Sequence, residues 1–188
     1  MFHAAAVERG LIPADGVPTD KTSVRDYLRA QDRDADFTAL QGYVYGPGMK
    51  HVRLYPGAAA ALARLQAAGV ELFIVSHKTP TPFAGPPYDL HQHARDFLGA
   101  VGLMAGGGAR FAPEQVFFEI TKEEKAARVS ALGCDVFIDD LPEILAMEGY
   151  PAAVRKLLFD PQGHHPAAPF ERFADWTVLA DALLATAA

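Results

Sequence analysis

Residues 125–145, KAARVSALGCDVFIDDLPEIL, decide how this chain reads. An Ala-rich segment with helical spacing stops at Gly133, a short apolar run over Val136–Ile138 ends in the adjacent aspartates Asp139 and Asp140, and Pro142 opens a further helix. Helix, buried strand and helix in that order predict one step of a parallel βαβ rhythm, with both carboxylates at the carboxyl end of the strand.

The same rhythm extends in both directions. Upstream, YPGAAAALARLQAAGV begins at a Pro-Gly pair and stops at Gly69, ELFIVSH reads as a buried strand, and a Pro-rich loop leads into a helix through HQHARDFLGAV. EQVFFEI is a second strand, and TKEEKAARVSALG carries Thr121 with Glu124 three residues later, the pattern of a capping box. Downstream, VRKLLFD is a fourth strand and TVLADALLATA a final helix. The first fifty residues differ: AAAVERG, SVRDYLRAQ and DFTALQG are short helical pieces, broken by IPADGVPTD and YGPGMK. The expected organisation is a small helical segment over 1–50 and an α/β core over 51–188.

Composition narrows the function classes. The chain has 188 residues, half of them hydrophobic and 21% charged, and no window approaches the roughly 18 unbroken apolar residues of a membrane span. The first residues lack the basic front and long apolar stretch of a secretory signal, so a cytoplasmic protein is expected. A net charge of −6 without a concentrated basic face argues against a nucleic-acid binder. Cys134 is the single cysteine, which excludes an internal disulfide and a multi-cysteine zinc site, and its place beside an apolar run suits a buried thiol.

In open parallel sheets the ligand crevice lies outside the carboxyl ends of the strands. Ser76 ends FIVS, His77 and Lys78 follow it, Asp139 and Asp140 end VFID, and Lys125 sits in the intervening helix. Adjacent carboxylates at a strand tip repel each other and lose hydration, so a hard, oxygen-preferring cation such as Mg²⁺ suits them. A hydroxyl and an ammonium facing the same point can hold a phosphoryl group, whose transfer depends on positioning and charge compensation.

This ordered set resembles the haloacid dehalogenase-like (HAD) superfamily: VELFIVSHKT is similar to its second motif, and KAARVSALGCDVFIDDLPEIL to its third and fourth run together. The resemblance covers about residues 54 to 160. It implies a three-layer, Rossmann-like parallel sheet with a small N-terminal helical cap, and a Mg²⁺-dependent phosphatase of a small phosphorylated metabolite that works through an aspartyl-phosphate. By that resemblance Ser76 binds the phosphoryl group, with His77 and Lys78 near the substrate. Lys125 offsets charge, with Lys122 a competing candidate, while Asp139 binds the metal and Asp140 supports the metal or its waters. A homo-oligomer is compatible with the sequence.

One motif of the family has no counterpart. DxDx[TV] at the tip of an apolar strand supplies the nucleophile and the general acid/base, and it should precede the helical segment. DADFT, Asp34 to Thr38, matches the letters, but RAQDR before it cannot form a buried strand, so a helix start with Asp36 as cap is the expectation. The family's first strand lies between those assigned to ELFIVS and DVFIDD, so its absence predicts a gap flanked by unpaired backbone. QGYVYG, residues 41 to 46, is the only spare β-prone stretch, and it carries no carboxylate. The chain therefore admits two readings, a phosphatase lacking its nucleophile strand or a HAD-derived binding or regulatory protein without turnover. Dehalogenase chemistry is a weaker third, since it needs the same missing aspartate. The histidine pairs at 91/93 and 164/165 read as surface or substrate-loop residues in preference to a zinc site.

Overall fold

The computed structural model describes residues 1–104 and 108–186. Among these the helices in chain order are α1 (Phe2–Glu8), α2 (Lys21–Arg29), α3 (Asp34–Tyr45), α4 (Ala58–Ala67), α5 (Leu90–Ala100), α6 (Lys122–Ala131), α7 (Pro142–Leu145) and α8 (Trp176–Thr186). The strands are β1 (Ile74–His77), β2 (Val116–Glu119), β3 (Val136–Asp139), β4 (Arg155–Phe159) and β5 (Glu171–Phe173). The chain is mixed α/β and divides into two compact units. One comprises Met1–Arg53 with Thr79–Ala100, and the other Leu54–Lys78 with the described residues from Val101 onward.

The first unit is helical. Asp20 caps α2 by accepting from the Ser23 N–H at 2.8 Å. In α3 the residues Phe37, Leu40 and Val44 recur at helical spacing and are buried with Val24 and Leu28 of α2 and with Phe2 and Ala6 of α1. QGYVYG therefore ends a helix, because its Val44 completes that apolar stripe. The segment Thr79–Ala100, placed with the 51–188 core by sequence, packs with the helices instead. Gly42 of α3 shows why, since a Cβ there would lie 2.7 Å from the Pro82 Cβ.

In the second unit every strand pair is parallel. β1 pairs with β2, matching Ser76 to Phe118, and β3 pairs with β4, matching Asp139 to Leu158; β4 then pairs with β5. Successive residues of β3 face opposite ways, as strand geometry requires. Val136 and Ile138 pack in the cluster that holds Leu179 of α8, and Phe137 packs with Val129 of α6 and Leu145 of α7. Gly57 caps the start of helix α4, where its φ of +79° disfavours any residue with a side chain and a Cβ would lie 3.1 Å from the Thr177 hydroxyl.

The single parallel sheet expected from the rhythm is not what these strands form. They make one sheet of β1 and β2 and another of β3, β4 and β5, and no described strand joins β1 to β3. The physical reason lies in the segments on hand: the one spare β-prone stretch is committed to α3.

Candidate functional site

The site builds on α6. The Glu124 N–H donates to the Thr121 hydroxyl at 3.0 Å, and the Glu124 carboxylate accepts from the N–H groups of Thr121 and Ile120, each at 3.0 Å. This reciprocal cap holds the first turn of α6 firmly, and Lys125 leaves the helix just after it. Its ammonium donates to Asp139 Oδ2 at the tip of β3. The other carboxylate oxygen accepts from the Leu141 N–H at 3.0 Å. Asp139 is buried and Lys125 largely so, with side-chain exposures of 5% and 11%.

Lys125 is thus the lysine that meets Asp139. The face of the Phe137 ring, 5.4 Å from the ammonium, adds a second favourable contact. Tyr150 stacks on the other partner of this group, its ring centroid 5.3 Å from that of Phe137. Its hydroxyl is buried without a hydrogen-bond partner, and burial, followed by the charge of Asp139, pushes it up to about 12. Tyr150 was invisible to motif reasoning, since it sits in a loop after α7 with no characteristic spacing.

Asp140 keeps solvent on one side, yet much of the surrounding chain crowds its carboxyl. That desolvation, and next the negative charge of Asp139, raise it above the ordinary aspartate value. Ser76 and His77 belong to β1, where His77 is exposed and Ser76 partly buried. Lys78 follows, its N–H donating to the Glu119 carbonyl at 2.8 Å, and burial lowers its ammonium below the usual lysine range.

Between β1 and β3 lies a cavity of about 910 Å³. Leu72–Val75 form one wall and Cys134–Asp140 the other, with Leu65 of α4, Val129 of α6 and Leu183 of α8 also lining it. The expected constellation is therefore split: the strand carrying Ser76 is on one side of the cavity, and Asp139 and Asp140 are on the other. The matching letters in DADFT are placed far from such a role. Asp34 and Asp36 lie in the first turn of α3, paired with Arg29 at 2.7 Å and Arg33 at 2.6 Å. Arg33, not Asp36, occupies the cap position.

The histidines at 164 and 165 also have local partners. Their backbone N–H groups donate to the two oxygens of buried Asp160, at 2.8 and 2.9 Å, pinning the loop that follows β4.

Comparison with family models, with curated proteins and with solved structures returns no match to this chain. The fold is that of a mixed α/β protein with short parallel sheets. No helix among the described residues is long and apolar enough to cross a membrane.

The donor set bears on a metal. Asp139 and Asp140 offer hard oxygen donors, and desolvation, followed by the negative charge of Asp139, raises the Asp140 carboxyl. No group of three or more His, Cys, Asp or Glu side chains poised for a metal occurs among the described residues. Two carboxylates fit Mg²⁺, which keeps several waters and commonly takes one or two carboxylates together with substrate phosphate oxygens.

Proposed function

We propose that this chain is the phosphate- and metal-binding framework of a HAD-like, Mg²⁺-dependent phosphatase acting on a small phosphomonoester. The observation that carries the proposal is the buried Lys125–Asp139 pair at the tip of β3, with Asp140 beside it. In this reading the Ser76 hydroxyl donates to a phosphoryl oxygen, Lys125 offsets the charge gathered at the phosphate, and His77 and Lys78 border the substrate. Asp139 and Asp140 hold Mg²⁺, which when bound neutralises charge on the phosphoryl oxygens. In this reading the two sheets are the flanks of one Rossmann-like parallel sheet, whose central strand carries the attacking carboxylate in DxDx[TV]. No strand among the described residues carries that motif, so the reading requires one ahead of residue 1.

The test has two readouts. Isothermal titration of the 188-residue chain with Mg²⁺ and inorganic phosphate is expected to show binding that Asp139→Asn abolishes. The in-frame sequence ahead of residue 1 is expected to encode an apolar run ending in Asp-x-Asp. Absence of both results would reject the phosphatase reading.

A second reading is favoured by a specific observation: both aspartates of DADFT are engaged in surface pairs on α3. On this view the chain is a HAD-derived binding or regulatory protein. It binds a cation or phosphate without turnover, because loss of nucleophile and acid/base together removes nearly all covalent transfer. Hydrolysis of p-nitrophenyl phosphate by the 188-residue chain, lost on Asp139→Asn, would contradict it.

A further inference from the structure

We propose that Lys125 is a charge gate that makes this site take a divalent cation and a phosphate group as a pair. While its ammonium sits on Asp139 a cation is disfavoured there, and a phosphate oxygen that accepts from the ammonium releases Asp139 for the cation. The proposal rests on the phosphatase reading and extends it from which residues bind to how the two ligands depend on each other.

Both oxygens of Asp139 are engaged within the chain. Oδ1 accepts from the Leu141 N–H, a backbone group fixed by the turn into α7, and Oδ2 accepts from Lys125. Of these two donors only the lysine is free to leave. It stands one residue past the reciprocal cap of Thr121 and Glu124, so the helix beneath it is held and the side chain alone rotates. The ion pair with Asp139 is its only one among the described residues. The Phe137 ring beside the ammonium offers no acceptor oxygen, so it does not compete with a phosphate for the lysine.

Charge favours the pair of ligands over either alone. With both aspartates ionised, Asp139, Asp140 and Lys125 together carry one net negative charge. A divalent cation alone turns this into one positive charge, and a phosphate dianion alone adds two negative ones. The two ligands together restore the original balance. Asp139 and most of Lys125 are shielded from solvent, so water and salt screen these imbalances poorly. Crowding of like charge is already present, since Asp139 is the second cause, after desolvation, of the raised Asp140 carboxyl. Binding of phosphate therefore strengthens binding of the cation, and by linkage the cation strengthens phosphate by the same factor.

The test is calorimetric titration of the 188-residue chain with Mg²⁺ and with inorganic phosphate, each alone and each with the other saturating. An enhancement of about tenfold or more, equal in the two directions, is expected. Lys125→Met should tighten binding of Mg²⁺ alone by about tenfold and weaken that of phosphate. Lys122→Met removes an equal charge from the first turn of the same helix and should change Mg²⁺ affinity by less than about twofold. Melting of the unaltered chain gives a readout that no variant's folding can spoil: Mg²⁺ and phosphate together should raise Tm by more than the sum of their separate shifts. Affinities independent of the second ligand, or equal effects of the two lysine variants on Mg²⁺, would overturn the gate and leave the phosphatase reading standing. Failure of the unaltered chain to bind either ligand, alone or together, would overturn both.

Discussion

Lys125 and Asp139, fourteen positions apart, form a buried ion pair that ties the second turn of α6 to the tip of β3. The pair fixes the crossover helix against the strand it leads into, and it does so at the end of the strand where Asp140 turns outward.

Removing one partner of a buried pair leaves the other charge desolvated. Lys125→Met is expected to destabilise the chain by about 3 kcal/mol, and Lys125→Met combined with Asp139→Leu by clearly less, because the double variant buries no lone charge. Urea denaturation of the three proteins checks this; a double variant as unstable as the sum of the single ones would contradict it.

Asp160 gives a pH dependence with a defined direction. Burial raises its carboxyl, but the N–H groups of His165 and His164 and then the charges of His165 and Arg172 outweigh it, and the group lies below the ordinary aspartate value. A carboxyl held low in the folded state adds stability that is complete above its unfolded value of about 3.9 and is lost as pH falls through the folded value. Asp160→Asn is expected to cost about 2 kcal/mol at neutral pH and to flatten the decline in stability below about pH 4. Equal slopes for the two proteins in acid melting curves would count against the assignment.

The cap of α6 is separable from its ion pair. Thr121→Ala should lower stability by about 1 kcal/mol with an unchanged denaturant slope, while Thr121→Ser should be close to neutral. A large effect of the serine variant would show that the threonine methyl, not the hydroxyl bond to Glu124, matters.

Gly42 reverses an ordinary expectation. Glycine to alanine inside a helix usually gains about 1 kcal/mol, but here the new methyl would meet the Pro82 ring at 2.7 Å and the Ala84 carbonyl at 3.2 Å. Overpacking of about 1–3 kcal/mol outweighs the gain, so Gly42→Ala should destabilise and should speed proteolysis within Thr79–Pro87. A stabilised, more protease-resistant variant would remove the packing of that segment on α3.

Much of the local structure was legible because its signals are local. Thr121, Glu124 and Gly133 bracket α6 almost to the residue, and the apolar runs of β1 to β4 stand out between turn residues. β5 was not legible: Glu171–Phe173 is three residues with one apolar side chain, and only pairing with β4 makes it a strand. The β-prone look of Tyr43 to Tyr45 misled for the opposite reason, since the helical period set by Phe37, Leu40 and Val44 outweighs intrinsic preference. For the candidate site, strand tips located Ser76 and the aspartate pair, and the choice of Lys125 over Lys122 is a matter of reach across the crossover. Thr79–Ala100 and Tyr150 depend on long-range packing that no short pattern encodes.

The interruption between β1 and β3 also bears on how the chain comes apart. In a continuous sheet one hydrogen-bond ladder couples every strand, whereas here the β1–β2 pair and the β3–β4–β5 group share no ladder and communicate through α6 and side-chain packing. No shared ladder among the described residues obliges the amide protons of the two groups to exchange together, so the α/β unit is expected to open as two foldons in hydrogen exchange. The β3–β4–β5 group, with Leu157 and Leu158 fully buried, is expected to be the slower to open.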